Sequence, residues 1–248
     1  MRKTKLQLAL SSILLVTMVL LFVATTVAYF SDNKRFTNTI TSGNVEILLS
    51  ESAVKRDAIG NLVQDPTANR IYGTTGNEVH NYGKIYPSQT IYKDPTIQNI
   101  GSEEAWVAFK ITIKDGNCDI RNVLGYENSN LINIRELFSG GLFDQTVTLV
   151  EWKNFDKVVY NDNYAMVQVP EPGKNQYEFY VFVLDPLEQN KTVTVFNTMT
   201  ISSDWSNTDM KEFAELTIEI EAFGVQTFNM SDCYTAMTTA LPEHFNFN

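Results

Sequence analysis

Eight stretches of this chain alternate apolar and polar residues with the two-residue period of a β-strand, and no run of ten or more residues with helical period separates them. That period restricts the fold more than any other feature, because successive strand side chains point to opposite faces of a sheet. Residues 216–228 (LTIEIEAFGVQTF) are the clearest case. Leu216, Ile218 and Ile220 alternate with Thr217, Glu219 and Glu221, one face to bury and one to wet. The others are residues 44–50, 90–100, 105–114, 146–152, 164–169, 177–184 and 192–202, all rich in Val, Ile, Thr and aromatics. Turn chemistry (NIGSEE, KDGN, YNDNY) punctuates them. Without crossover helices the pattern argues against βαβ units and predicts an all-β chain, an antiparallel, jelly-roll-like β-sandwich.

Three regions depart from it. Residues 51–86 are polar and turn-rich and read as a long surface excursion. A second excursion covers 115–145, where residues 132–138 (INIRELF) read as a short helix ended by Gly140 and Gly141. Near the end, Ser231 is placed to cap a helix that reaches Leu241 and that Pro242 stops.

The N-terminus speaks to the compartment. Arg2, Lys3 and Lys5 precede an apolar run over residues 6–23, and the small residues Ala24, Thr25, Thr26 and Ala28 follow. Charge, apolar core and small residues in that order are the layout of a secretory signal peptide. Signal peptidase takes short side chains at the cut and two positions before it, so Thr26 and Ala28 put the cut between Ala28 and Tyr29. The alternative is an uncleaved anchor, since the run approaches the roughly 20 apolar residues that span a bilayer. With a cut there, residues 1–28 are the signal peptide. Residues 29–248 are then a single β-sandwich domain with an N-terminal segment at 29–43.

Charge narrows the partners. The net charge of −10 becomes −13 when Arg2, Lys3 and Lys5 leave. Such a surface repels nucleic acid and anionic lipid, so no nucleic-acid partner is expected, and membrane contact is expected only before cleavage. Fifteen Phe and eleven Tyr supply apolar surface to bury, so the acidity does not read as disorder. Cys118 and Cys233 are the chain's two cysteines. Export permits a disulfide between them; two separate thiols are the alternative.

Catalytic constellations are scarce. His80 and His244 are the two histidines, and neither stands in an H-E-x-x-H arrangement. With Cys118 and Cys233 they have zinc-ligand chemistry but none of the compact spacings of structural zinc modules. Glu103–Glu104 and Glu219/Glu221 read as solvated faces, and residues 160–164 (YNDNY) lack EF-hand spacing. No nucleophile elbow, P-loop or dinucleotide fingerprint appears. The expectation is therefore no enzyme, no metal site and no cofactor. LPEHF (residues 241–245) begins like a sortase signal but has no Thr-Gly and no apolar tail after it.

Residues 27–51 (VAYFSDNKRFTNTITSGNVEILLSE) resemble the start of the TasA/camelysin family of exported bacterial proteins. In that family a dedicated signal peptidase cuts just before an aromatic-plus-acid motif, and a turn and first strand follow. Ala28, Tyr29, Phe30 and Asp32 match the cut and motif; Thr41, Ser42, Gly43 and Asn44 match the turn, and residues 45–49 the strand. Residues 86–113 resemble the family's Pro-turn, strand, Asn-x-Gly-Ser turn and returning strand, and residues 222–228 are a weaker third similarity. The resemblance covers about a third of the chain and leaves residues 115–190 unmatched. It implies a jelly-roll sandwich in an extracellular matrix, biofilm or cell-surface fibre of a bacterium. It also implies a metalloendopeptidase label inherited from camelysin, for which no compact ligand set can be quoted.

Three functions of different kind compete. The first is an exported structural protein that assembles with copies of itself, using residues 29–40 as a donor strand with Tyr29, Phe30, Phe36 and Ile40 as its apolar residues. A flexible tail or an ordinary edge strand is the alternative for that segment. The second function is a module binding a surface polymer or carbohydrate through aromatics such as Trp106, Trp152 or Trp205. A camelysin-like peptidase stands third.

Overall fold

Two ten-residue strands set the frame. In the computed structural model, which describes residues 31–34, 45–73, 86–114, 135, 137–168, 176–201 and 217–247, strand β8 (Ala105–Lys114) pairs antiparallel with β16 (Thr217–Gln226) at every position. On the other side of β8 lies β13 (Gln176–Val183), then β12 (Tyr164–Gln168), β11 (Phe155–Tyr160) and β10 (Thr148–Trp152). The short β1 (Ser31–Lys34) pairs with the free side of β16 and completes a seven-stranded antiparallel sheet. Ser31–Asn248 form one compact unit. The predicted signal peptide lies outside the described residues.

A second layer faces this sheet. One part runs β14-β7-β2-β5, built from β2 (Ile47–Glu51), β5 (Ile71–Tyr72), β7 (Thr96–Asn99) and β14 (Thr192–Thr194). The other runs β3-β4-β6-β15-β9, from β3 (Val54–Arg56), β4 (Leu62–Gln64), β6 (Thr90–Tyr92), β9 (Phe138–Ser139) and β15 (Thr198–Thr200). Among the described residues, the strand pairings are antiparallel except a single parallel bridge, Leu62↔Ile91. The chain is thus the antiparallel, all-β sandwich that the two-residue period predicts.

The two smaller sheets are halves of one creased layer. Residues 90–100 and 192–202, each read from sequence as one strand, break at Lys93–Pro95 and Val195–Asn197 and change sheet there. Pro95 has no N–H for the ladder. Its carbonyl accepts from Val195 N at 3.2 Å, and Lys93 N donates to Asn197 O at 3.0 Å, so pairing carries on across the bend. The expected excursion over 51–86 likewise holds three short strands, β3, β4 and β5. Its turns are too dense for period 2 to show. The region 115–145 contributes β9 and a 3-10 turn, Gly141–Asp144, and most of the expected helix at 132–138 lies outside the described residues.

Strand alternation fills two cores. Val107, Phe109, Ile111 and Ile113 of β8 point inward with Phe179 and Val181 of β13 and Met166 of β12. They meet Ile47, Ile91, Ile97, Phe138 and Met199 of the creased layer. Each such side chain, fully buried, contributes about 1.5–3 kcal/mol. The outward residues Trp106, Ala108, Ala165, Val167, Tyr180, Phe182, Phe223 and Val225 are buried as well. They lie under a helix, α1 (Cys233–Ala240), and the tail after it, which supply Ala236, Met237, Leu241 and Phe245. This cover on both faces explains why β8, β12 and β13 read as nearly unbroken apolar runs. Farther along the same face the strands carry ion pairs instead, Lys110–Glu178 at 2.9 Å and Lys114 with Glu219.

The helix begins one residue later than its sequence signal. Asp232, not Ser231, is the N-cap: its Oδ1 accepts from Thr235 N at 2.9 Å, while Lys153 Nζ sits 2.8 Å from its Oδ2. Leu241 closes the helix and Pro242 follows.

Candidate functional site

Three places on the molecule combine unusual geometry with chemistry. The first is the β1 edge. Its register is Ser31↔Val225, Asp32↔Gly224, Asn33↔Phe223 and Lys34↔Ala222, so it spans four of the ten positions of β16. The sequence of β1, SDNK, contains no apolar residue. A main-chain ladder therefore holds it, and that ladder is indifferent to which copy of the chain supplies the strand. Tyr29, Phe30, Phe36 and Ile40 flank it and lie outside the described residues, as do the cleavage residues Thr26 and Ala28.

The second is the crease. Asp94, Ser52 and Arg70 meet there from three separate segments. Ser52 N donates to Asp94 Oδ1 at 2.6 Å and Ser52 Oγ donates to Asp94 Oδ2 at 2.8 Å. Arg70 Nη1 donates to Asp94 Oδ2 at 2.8 Å and to Ser52 Oγ at 2.9 Å, and its Nε donates to Ser50 Oγ at 3.1 Å. Beside them Lys93 Nζ contacts both oxygens of Glu51, at 2.7 and 2.8 Å, with the lysine side chain 4 % exposed. Ser52 has a carboxylate and a guanidinium as neighbours but no imidazole within this set, so the cluster is a polar clamp across the bend rather than a nucleophile–base pair. Sequence reasoning passed over it because hydrogen-bonded partners such as Ser52 and Asp94 lie 42 residues apart.

The third is a groove of about 310 Å³ on the outer face. It is bounded by Asn154 of the β10–β11 turn, by Tyr234 and Thr238 of α1, and by the tail residues Pro242, Phe245, Asn246 and Phe247. Lys153, at φ 54°, makes the tight turn that lifts Asn154 to the rim. The tail is pinned from below: Tyr180 Oη donates to His244 O at 2.5 Å, and Phe245 packs 4.8 Å from both Tyr180 and Phe223. Burial, with the nearby Glu178 and Glu221, drives the Tyr180 phenol far above its ordinary range, so it stays a donor.

The remaining sequence candidates do not converge. Trp106, expected as an exposed binding aromatic, is 8 % exposed and belongs to the outer core. Trp152 is half-buried beneath Phe182 and Tyr234, at ring distances of 5.6 and 5.5 Å. Trp205, His80 and Cys118 lie outside the described residues. Cys233 is a free, buried thiol whose Sγ donates to Val107 O at 3.3 Å, and burial pushes its pKa far above the ordinary range, so it stays protonated. Glu103 and Glu104 are exposed. The YNDNY stretch is a hairpin turn in which Asn161 Oδ1 accepts from Asn163 N and Tyr164 N at 2.8 and 2.9 Å. Among the described residues no group of three His, Cys, Asp or Glu is placed to hold a metal ion. Nor is any described helix long and apolar enough to cross a membrane. No family model, curated protein or solved structure matches this chain.

Proposed function

We propose that this chain is an exported structural protein, the subunit of a bacterial extracellular-matrix or cell-surface fibre, and that copies join through residues 29–40. The observation that carries this reading is β1, a short polar strand at the edge of the main sheet, directly after the expected cut at Ala28. An edge strand held by main-chain bonds can be exchanged for the same strand of another copy. Burial of Phe30, Phe36 and Ile40 on a neighbour would add about 1.5–3 kcal/mol each. Association costs about 4–15 kcal/mol, and because the exchanged ladder is broken on one copy and regained on the next, these apolar side chains are what offset that cost. The contact is head-to-tail and does not close on itself, which yields filaments rather than dimers. The resemblance of residues 27–51 to TasA/camelysin proteins points the same way.

Negative-stain electron microscopy of the mature protein tests it. Filaments are expected from the wild type and none from a variant lacking residues 29–35 or carrying Phe36→Asp, each still folded. A deletion variant that polymerises like the wild type overturns the reading. Processing is tested separately: Ala28→Asp should block maturation, and protein retained in the membrane with Met1 at its start would argue for the anchor. A zinc-dependent peptidase would instead cleave casein once zinc is restored to chelated protein; the fibre reading expects no cleavage.

A further inference from the structure

The outer groove has a lining, a rim and a charge pattern that together name a ligand class. We infer that it is a binding site for a neutral, hexose-based glycan.

Its lining is rich in aromatic side chains, Tyr234, Phe245 and Phe247. Tyr234, from the helix, and Phe247, from the tail, are half-buried with nearly parallel rings, 20° apart with centroids 6.1 Å from each other. A pyranose carries one face of C–H bonds that packs on such a surface, where the negative face of the rings attracts polarised C–H hydrogens. Asn154 stands exposed at the rim and presents its carboxamide, with Asn246 and Thr238 beside it. Carboxamides both donate and accept, which suits vicinal hydroxyls that do the same.

The charges point to a neutral ligand. Among the described residues, no carboxylate and no cation lines the groove. The neighbouring Lys153 is already engaged, 2.8 Å from Asp232 and 5.7 Å from the centres of the Trp152 and Tyr234 rings. A peptide terminus or a uronic acid would find no counter-charge here, and a chain of net charge −10 would repel an acidic polymer.

The walls are also fixed before any ligand arrives. The Asp232 cap holds the start of the helix, and the Tyr180–His244 bond and buried Phe245 hold the tail, so little ordering is left to oppose binding. A volume of about 310 Å³ is at the small end for ligand sites, which suits one or two sugar rings of a longer chain bound weakly.

Titration of the purified protein with cellotetraose and chitotetraose tests the inference, followed by tryptophan fluorescence, because Trp152 lies 5.5 Å from Tyr234. Saturable binding to at least one glycan is expected, at a Kd on the order of 0.1–1 mM. Asn154→Ala removes only exposed rim chemistry and should weaken it about three- to tenfold with an unchanged melting temperature. Phe247→Ala should weaken it about tenfold or more. Absence of saturation with both glycans overturns the inference. Saturation that survives both substitutions also does, and so does tighter binding of polygalacturonate or of an aromatic peptide. The Phe36→Asp variant keeps the groove intact, so glycan binding by that variant should equal the wild type whether or not filaments form.

Discussion

Asp232 is a residue whose worth can be itemised. Partial burial works against its ionisation, but hydrogen bonds from Lys153, from the Thr235 N–H and from the hydroxyls of Ser231 and Thr235 outweigh it and hold its pKa at about 2 against an ordinary 3.8. Because the folded value is the lower one, its contribution is full above about pH 4 and is lost as pH falls toward 2. The side chain is about a third exposed, so screening reduces that contribution to about 1 kcal/mol. Asp232→Ala should cost about 1–2 kcal/mol at pH 7 in urea denaturation, and Asp232→Ser, which keeps the cap without the charge, should recover about half. The difference between wild type and Ala variant should shrink as the pH approaches 2. Ser231 and Asp232 are both good caps, and the choice between them comes from Lys153, 79 residues away, which no local reading can see. Lys93 and Glu51 make the sharper case. Glu51→Ala leaves a buried lysine without its counter-charge and should cost about 3–5 kcal/mol, whereas Lys93→Met combined with Glu51→Leu should cost much less. Equal losses in the single and double variants would show that the pair is not coupled.

At the scale of elements, the alternation in the first half of β16 was readable because a sheet with one wet face imposes it locally. The sheet changes at Lys93–Pro95 and Val195–Asn197 were not, because β-rich residues run through both and the bend is set by partners in the other segment. Contact between layers was equally hidden. Gly224 of β16 lies against Ile47 of β2 so closely that an added Cβ would come within 2.8 Å of Ile47 Cγ2. Gly224→Ala should therefore push the layers apart and cost about 1–3 kcal/mol by chemical denaturation. A stability equal to the wild type would mean that Ile47 yields without strain. The same glycine faces Asp32 in the register of β1, so this close approach between the layers lies beside the strand on which assembly is proposed to depend.

For the whole molecule, period 2 announced the sandwich, but it pointed to one buried face and one wet face, and the cover that the helix and tail give the outer face was not foreseen. The candidate sites were far less legible. The groove draws on residues 154, 234–238 and 242–247, and the crease clamp on residues 50–52, 70 and 93–94, each joined only by folding. The N-terminal segment was legible as composition, yet its pairing with β16 depends on a strand nearly 200 positions along the chain. That pairing has a kinetic side. In the folded chain β1 is already closed on its own β16. A copy that hands the strand to a neighbour breaks a ladder and regains an equivalent one, so the exchange is nearly even in main-chain bonds while its rate carries the full opening cost. Assembly by such exchange behaves as a seeded reaction: monomer waits, and existing fibre ends capture strands in their open moments. Light scattering should then show a lag that shortens when sheared fibre fragments are added.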